Sequence, residues 1–289
     1  MKGYKRESVD VIICCYNQEQ YISQAVESVI QQKVDADVRV LIADDCSTDN
    51  TLNIIKSYEK QSPFPFVYLP SSKNIGLSAN YHRAFDNCFA TYTAILEGDD
   101  WWSKDSHLAQ HIQFLQNHKR YSMSYNRITV YLQDKGITEK HHWPFGNIDY
   151  VAISLKEQIS LGNQIGNLSC CVFRTEMLHC LPKEFYALKY ADWELGIMMA
   201  MKGPIAMLKD STSTYRINQN GLWSRLAPAK KQASEIQSLE RIQPLLPDYC
   251  VKYIDTFKKT LTSEAEFSIP MPRLYRLKRM LFHRRFGKK

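Results

Sequence analysis

The sequence predicts an α/β fold: a mostly parallel sheet flanked by helices, followed by a helical C-terminal extension. Three observations carry that expectation. Short β-branched runs alternate with amphipathic helical segments through the first hundred residues. Polar or acidic clusters stand at the carboxyl ends of three of those runs, where open α/β sheets bind ligands. After about residue 104 the strict alternation gives way to longer, mixed segments.

In order, residues 9–15 are β-branched and short, as a buried parallel strand should be. A helix over 19–32 follows, with Ile22, Ala25, Val26, Val29 and Ile30 at helical spacing. A second strand over 38–43 runs into Asp44-Asp45-Cys46-Ser47-Thr48-Asp49, where Ser47 or Thr48 can cap a helix reaching about residue 59. Pro63-Phe64-Pro65 breaks the chain before a third strand over 66–69. Asn74-Ile75-Gly76 turns into a helix over 78–89, and a fourth strand over 92–96 ends at Glu97-Gly98-Asp99-Asp100-Trp101-Trp102. Beyond it the spacing predicts helices over 105–118, 154–161, 174–180 and 190–202. Strands are expected over 122–132, 168–173 and 205–209, with an extended segment to Arg216, and a polar, aromatic loop over 133–149. Helices over 226–243 and 248–266 close the pattern.

Composition excludes several classes. With 289 residues, 44% of them hydrophobic, and only 11 Gly and 11 Pro, the chain can bury a substantial core and is neither disordered nor low-complexity. No run approaches the roughly 18–20 apolar residues of a spanning helix. Glu7 and Asp10 break the pattern of an export signal, so a cytoplasmic protein is expected. The eight cysteines form no C-x-x-C and are expected to be reduced and mostly buried, without zinc. Of the net charge of +7, residues 273–289 hold eight Lys/Arg and no acid. Removing these eight from the 37 basic residues leaves 29 against 30 acidic ones, so the body is not a nucleic-acid binder.

Three strand ends carry the candidate chemistry: Tyr16-Asn17, Asp44-Asp45 and Glu97-Gly98-Asp99-Asp100. Crowded carboxylates repel unless a cation compensates, and hard oxygen ligands suit Mg2+ or Mn2+. There is no G-x-G-x-x-G after the first strand and no Walker A loop, so a phosphate-bearing ligand would be held through metal.

These motifs, from Val9 to Asn17, Ile42 to Thr51, Asn74 to Leu77 and Ile95 to Trp102, in this order and spacing, resemble the inverting glycosyltransferases of family 2, with the GT-A fold. The resemblance implies a metal-dependent transferase using a nucleotide-diphosphate sugar, a UDP-sugar above all, and a glycan or lipid-linked acceptor of a surface polysaccharide such as lipopolysaccharide or capsule. It places Cys15, Tyr16, Asn17, Asn74 and Asp45 in the donor pocket, Asp45 accepting from the base. Glu97 and Asp99 take the D-x-D positions, Asp99 holding Mn2+ or Mg2+ with help from Glu97, which departs from the usual Asp. Where many members have Ala-Arg-Asn this chain has Asn80-Tyr81-His82-Arg83, so Arg83 is the donor-side candidate.

Cys171 to Arg174, Ala191 to Leu195, and Tyr215 to Asn218 with Gly221, Trp223 and Ser224 extend the likeness. It assigns Asp192 as catalytic base, while Asn218 stands where many relatives have His. Trp101, Trp102, Trp143 and Trp193 are acceptor candidates, because aromatic faces pack on sugars. The implied organisation is a glycosyltransferase domain over 1–225 (a nucleotide-binding half 1–103, an acceptor-binding half 104–225) and an extension over 226–289.

Other readings of the residues stay alongside. A nucleotidyltransferase would need a Gly-rich, Arg-containing loop after the first strand, which Cys14-Cys15-Tyr16-Asn17 is not. An inactive nucleotide-sugar-binding or scaffold protein is opposed by the joint presence of Asp45, Asp99 and Asp192. His107 and His111 lack the Glu of H-E-x-x-H and read as surface or satisfied histidines, and the Met198, Met199, Met201 and Met207 group as core. In 273–289, Leu274, Leu277, Met280 and Leu281 recur at helical spacing among the basic residues, the pattern of a helix docking on an anionic membrane surface at the inner face of the cytoplasmic membrane, with a solvated charge run or a helix packing its Leu stripe on the body as the alternatives.

Overall fold

Alternation along the first strand, β1 (Ser8–Cys15), sends Ile12 and Cys14 to one side and Val9, Val11, Ile13 and Cys15 to the other, and both sides are buried. A strand apolar on both faces must lie inside a sheet covered by helices. The computed structural model describes residues 6–140, 143–218 and 226–266 and places it so. The first part of the chain runs β1, α1 (Ile22–Ile30), β2 (Asp37–Asp44), α2 (Thr51–Ser57), β3 (Phe66–Tyr68), α3 (Leu77–Phe85) and β4 (Tyr92–Glu97). Then come β5 (Trp101–Trp102), α4 (His107–Asn117), β6 (Met123–Leu132), β7 (Ile137–Glu139), β8 (Tyr150–Ile153) and α5 (Leu155–Ser160). A 3-10 turn (Leu168–Cys170) leads into β9 (Cys171–Arg174), α6 (Thr175–His179), α7 (Lys183–Tyr186), α8 (Asp192–Lys202) and β10 (Ile205–Ile217). The helices α9 (Pro228–Ile242) and α10 (Val251–Glu266) form the extension.

The ten strands make one sheet in the order β3-β2-β1-β4-β9-β6-β10-β5, with β7 beside β6 and β8 beside β10. The first four are parallel, as expected. The rest is mixed rather than mostly parallel, because β9 enters antiparallel to both β4 and β6. β10 is longer than expected. It continues through the segment read as merely extended, pairing in parallel with β6 past an irregularity between Leu208 and Ser213. β7 and α7 lie where loops were expected, and β8 between the expected loop and the next helix. The capping of α2 also differs. Ser47 is turned back to Asp44 by both its amide and its hydroxyl, and Thr48 pairs with Asn17, so the helix starts only at Thr51.

Helices α1, α2 and α4 cover one face of the sheet, and α3, α5, α8, α9 and α10 the other. Met198, Met199 and Met207 are buried in that second layer. Two arginines fasten polar seams. Arg39 grips the buried Asp10 through two bonds of 2.7 and 2.9 Å across β1 and β2. Arg174 donates to the carbonyls of Leu115 and Tyr121, taking up an acceptor in the last turn of α4. No described helix is long and apolar enough to cross a membrane. The basic segment 273–289, and Gly221, Trp223 and Ser224, lie outside the described residues.

His107 and His111 are not at the surface; both are fully buried on α4. His107 stacks on Trp102 at 4.3 Å and meets Thr212 Oγ1 at 2.7 Å, while His111 meets Ser124 Oγ at 2.8 Å. Burial holds His107 well below the ordinary imidazole range and lowers His111 to about 4. The unfolded chain takes up these protons near pH 6.5, so the stability they secure is complete above that pH and is lost as pH falls toward 4. We expect the melting temperature to drop between pH 7 and 5, with about 1–2 kcal/mol of the loss from each histidine. A His111→Gln variant should show a shallower slope by differential scanning fluorimetry; parallel slopes would contradict this account.

Candidate functional site

Parallel pairing aligns the strand ends: Cys15 lies beside Asp44 and Cys14 beside Glu97. Gly98 follows at a point where a Cβ would meet Cys15 Cβ at 2.9 Å and Ile22 Cδ1 at 3.0 Å, so only glycine lets the acidic loop pass this close to β1 and α1. The loop after β1 is locked to that after β2. Asn17 takes a left-handed φ of 51°, which Asn tolerates. Its Oδ1 accepts from the Thr48 amide at 2.8 Å, and its own amide donates to Ser47 Oγ at 2.9 Å.

Oxygen atoms of Glu97, Asp99 and Asp100 lie within 4.8 Å of one another. Burial and then the charge of Asp99 push the Glu97 carboxyl up to about 7. Burial, followed by the charges of Asp99 and Glu97, raises Asp100 well above the carboxylate range, and burial raises Asp99 as well. Neutral donors hold the three in place. Tyr81 Oη donates to Glu97 Oε1 at 2.6 Å, and Asn167 Nδ2 bridges Glu97 Oε2 and Asp100 Oδ2 at 3.2 and 2.6 Å. Ser169 Oγ and the Arg216 amide complete Asp100 at 2.6 and 2.8 Å. Asp100 is fully buried and spent on this frame, while Glu97 and Asp99 are half-buried. Gln18 and Asn218 side chains donate to Asp99. Such a set of hard oxygens, crowded against their own repulsion, fits a divalent cation such as Mg2+ or Mn2+.

Arg216 is the nearby cation, yet its guanidinium turns away from the carboxylates. It donates to the Asp99 carbonyl at 2.7 Å and to Gln24 and Gln133, between the rings of Tyr21, Trp101 and Tyr131 at 4.7, 4.7 and 5.5 Å. Asp192 is the first residue of α8, and its charge adds to the rise in Glu97. Asp192 itself is raised, chiefly by burial, against a 2.6 Å hydrogen bond from Asn163 Nδ2 to its Oδ2.

The other sequence candidates fall variously. Tyr16 and Asn74 are exposed beside the strand ends. Asp45 is buried, and its two oxygens accept from the amides of Ile75 and Gly76 at 2.9 and 2.8 Å, anchoring that turn. The Cys15 side chain points into the core and its thiol, pushed up by burial, meets Asp44. Arg83 is committed to the protein itself, its guanidinium donating to the carbonyls of Pro70 and Asp44 and to Asn80. Among the described tryptophans only Trp101 keeps appreciable surface. Trp102, Trp143 and Trp193 are buried, their indole N–H groups spent on the carbonyls of Ser169, Ile148 and Gln158, so none offers a sugar an open face here. Sequence reasoning set Asp100 in the acidic cluster but missed Tyr81, Asn163, Asn167, Ser169 and Arg216 as parts of the site. The doubled Gly-Asn of Gly162-Asn163 and Gly166-Asn167 was the visible signal for two of them.

Residues 10–181, more than half of the chain, match the model of "Glycosyl transferase family 2". The chain belongs to that family. Among curated relatives of this family-2 protein, Rv1520 of Mycobacterium tuberculosis, an uncharacterized protein, is 28% identical over 220 residues. That match covers 74% of this chain and 60% of Rv1520, so the chain spans well under two thirds of that relative's length. TuaG of Bacillus subtilis, a putative teichuronic acid biosynthesis glycosyltransferase, is 27% identical over 84% of this chain and 92% of its own. The fold is that of S. aureus TarS 1-349 in complex with UDP-GlcNAc (TM-score 0.62, 19% identity, 88% and 71% of the two chains). It is also that of the mannosyltransferase PcManGT from Pyrobaculum calidifontis in complex with GDP-Man and Mn2+ (TM-score 0.61, 15% identity, 96% and 81%). The architecture is thus GT-A.

Mn2+ at about 100 times its Kd should contribute ~2.7 kcal/mol and raise the melting temperature by about 5–10 °C. The Asp99→Ala variant should lose that response yet melt no lower than wild type in EDTA, since the substitution relieves repulsion. A variant melting far below wild type in EDTA would contradict the account of crowded charges.

Proposed function

We propose that this chain transfers a sugar with inversion from a UDP-sugar to a hydroxyl of a glycan or lipid-linked acceptor in the synthesis of a surface polysaccharide. The observation that carries the reading is the crowding of Glu97, Asp99 and Asp100 oxygens within 4.8 Å at the end of β4, and the charge of Asp192, which adds to the rise in Glu97, supports it. TarS with UDP-GlcNAc supports the choice of nucleotide, and TuaG the class of product. Asp99, with Glu97, would hold the cation, whose chemistry when bound is to neutralise charge on the departing diphosphate. Asp192 accepts the proton of the attacking hydroxyl, and its upward-shifted carboxyl makes it a stronger base than a free aspartate. Tyr16, Asn74 and the turn that Asp45 anchors would border the base.

Asp192→Asn keeps shape and the first turn of α8 but removes the proton acceptor. We expect turnover to fall about 10²–10⁴-fold with UDP affinity and melting temperature near wild type. Asp99→Ala should instead lose Mn2+-dependent UDP binding, read by calorimetry. Turnover of Asp192→Asn within a fewfold of wild type would remove Asp192 from the mechanism, and UDP binding indifferent to EDTA would remove the metal. Because a base works only ionised, the acid limb of kcat/KM should lie above the pH range of an ordinary aspartate, near 4.

The basic segment 273–289 would hold the enzyme at an anionic membrane surface, each Lys or Arg near it contributing about 1 kcal/mol. Wild type, but not a chain ending at Met271, should co-sediment with phosphatidylserine-containing liposomes, and salt should release it. Equal pelleting of both would refute the membrane role.

A further inference from the structure

Between α5 and β9 the chain reads Gly162-Asn163-Gln164-Ile165-Gly166-Asn167-Leu168-Ser169. Both glycines take positive φ, 73° and 81°, which lets the backbone turn twice within five residues. Asn163 Oδ1 accepts from the amides of Ile165 and Gly166, each at 3.1 Å. Those bonds settle the orientation of the carboxamide, so Nδ2 is presented to Asp192 Oδ2 at 2.6 Å. Asn167 and Ser169, a few residues on, hold Glu97 and Asp100. One loop therefore grips both the first residue of α8 and the acids after β4.

We propose that Asn163 is a positioning residue for Asp192: by occupying Oδ2 it leaves Oδ1 as the oxygen that meets the acceptor hydroxyl, and it favours the ionised carboxylate. The inference rests on Asp192 being the base. The other side chains around Asp192 do not supply this help, which only its own amide and that of Trp193 share. Glu97 at the end of β4, Tyr81 on α3, Cys171 on β9 and Tyr215 on β10 all feel its charge as a repulsion. Glu194 on its own helix opposes it too, and the cation on that side, Arg241 of α9, is paired with Glu194 at 2.8 Å. The hydrogen bond of Asn163 works in the other direction.

Two variants test this in the whole 289-residue chain. Asn163→Ser keeps an oxygen for the two loop amides but removes the donor to Asp192. Asn163→Asp keeps the shape and sets a second carboxylate against the first. With 13C-carboxyl-labelled aspartate, the resonance missing from Asp192→Asn identifies Asp192, and its titration midpoint is read by NMR. We expect the midpoint to rise by about one pH unit in Asn163→Ser and further in Asn163→Asp. The acid limb of UDP-GlcNAc hydrolysis in Mn2+ should move with it, at unchanged UDP affinity. A merely structural role would lower the melting temperature and leave the midpoint in place. Midpoints unmoved in whichever of the two variants folds, beside an inert Asp192→Asn, overturn the role of Asn163 alone. Asp192→Asn hydrolysing UDP-GlcNAc at the wild-type rate overturns the base assignment, and this role with it.

Discussion

Repulsion among carboxylates is the constraint around which this molecule is arranged. Glu97, Asp99 and Asp100 are brought within 4.8 Å of one another at the end of a central strand, and Asp192 approaches from the helical layer. Asp100 is shut away from the water that would screen it at a surface, and Glu97, Asp99 and Asp192 are half-buried. The fold answers with neutral donors: a phenol, two carboxamides and a hydroxyl from Tyr81, Asn163, Asn167 and Ser169. Neutral donors orient a carboxylate without cancelling its charge, whereas a lysine or arginine in the same place would cancel it. Arg216 shows the distinction. It is close enough to feel Asp99 and Asp100, but its guanidinium spends its bonds on a carbonyl and two glutamines. The negative charge is thus left available for a cation that arrives from solution.

What the sequence disclosed follows from how local each feature is. β1, β2 and β4 are buried on both faces, so continuous apolar runs announce them, and the polar residues that end them must lie at one edge of the sheet. The motif residues Asp45, Glu97 and Asp99 were legible for that reason. Asp100 is adjacent to Asp99, yet its separate task depends on Asn167, Ser169 and the Arg216 amide, which are 67, 69 and 116 residues away in sequence. No periodicity encodes such partners. The tryptophans mislead for a related reason. An indole serves equally well in a core and under a sugar, and what decides is whether its N–H meets a backbone carbonyl, as in Trp102, Trp143 and Trp193. Arg83 is misleading in the same way: strand-end carbonyls of the β2 and β3 edge take up the guanidinium that pattern alone would give to a phosphate.

The second half resisted reading because its strands are placed by tertiary contacts. β10 stays in the sheet across its irregularity because β6 lies along one side, while β8 and then β5 pair with successive parts of the other. Its polar run Lys209 to Thr214 reads only as an extended segment, yet Thr212 and Ser213 are buried and bond to His107 and Asn126. Hydrophilic side chains with dedicated partners can build a strand interior as firmly as valines, but they leave no apolar signature.

The helical extension belongs to this same logic. Its α9 and α10 contribute Leu239, Ile242, Ile254, Phe257 and Leu261 to the core layer that holds α8, and Phe257 meets Trp193 edge-on at 5.2 Å. Arg241 reaches Glu194, whose other oxygen accepts from the Ala191 amide at 3.2 Å. Both contacts bear on the residues flanking Asp192. The first turn of α8 is therefore held from three directions: by Asn163 from the loop after α5, by Arg241 from α9, and by Trp193 wedged against α10. A carboxylate held near an acidic cluster that repels it needs such fixing, since electrostatics alone would drive it outward. Residues 228–266 thus act on the site through packing, at a distance from the motifs that mark it.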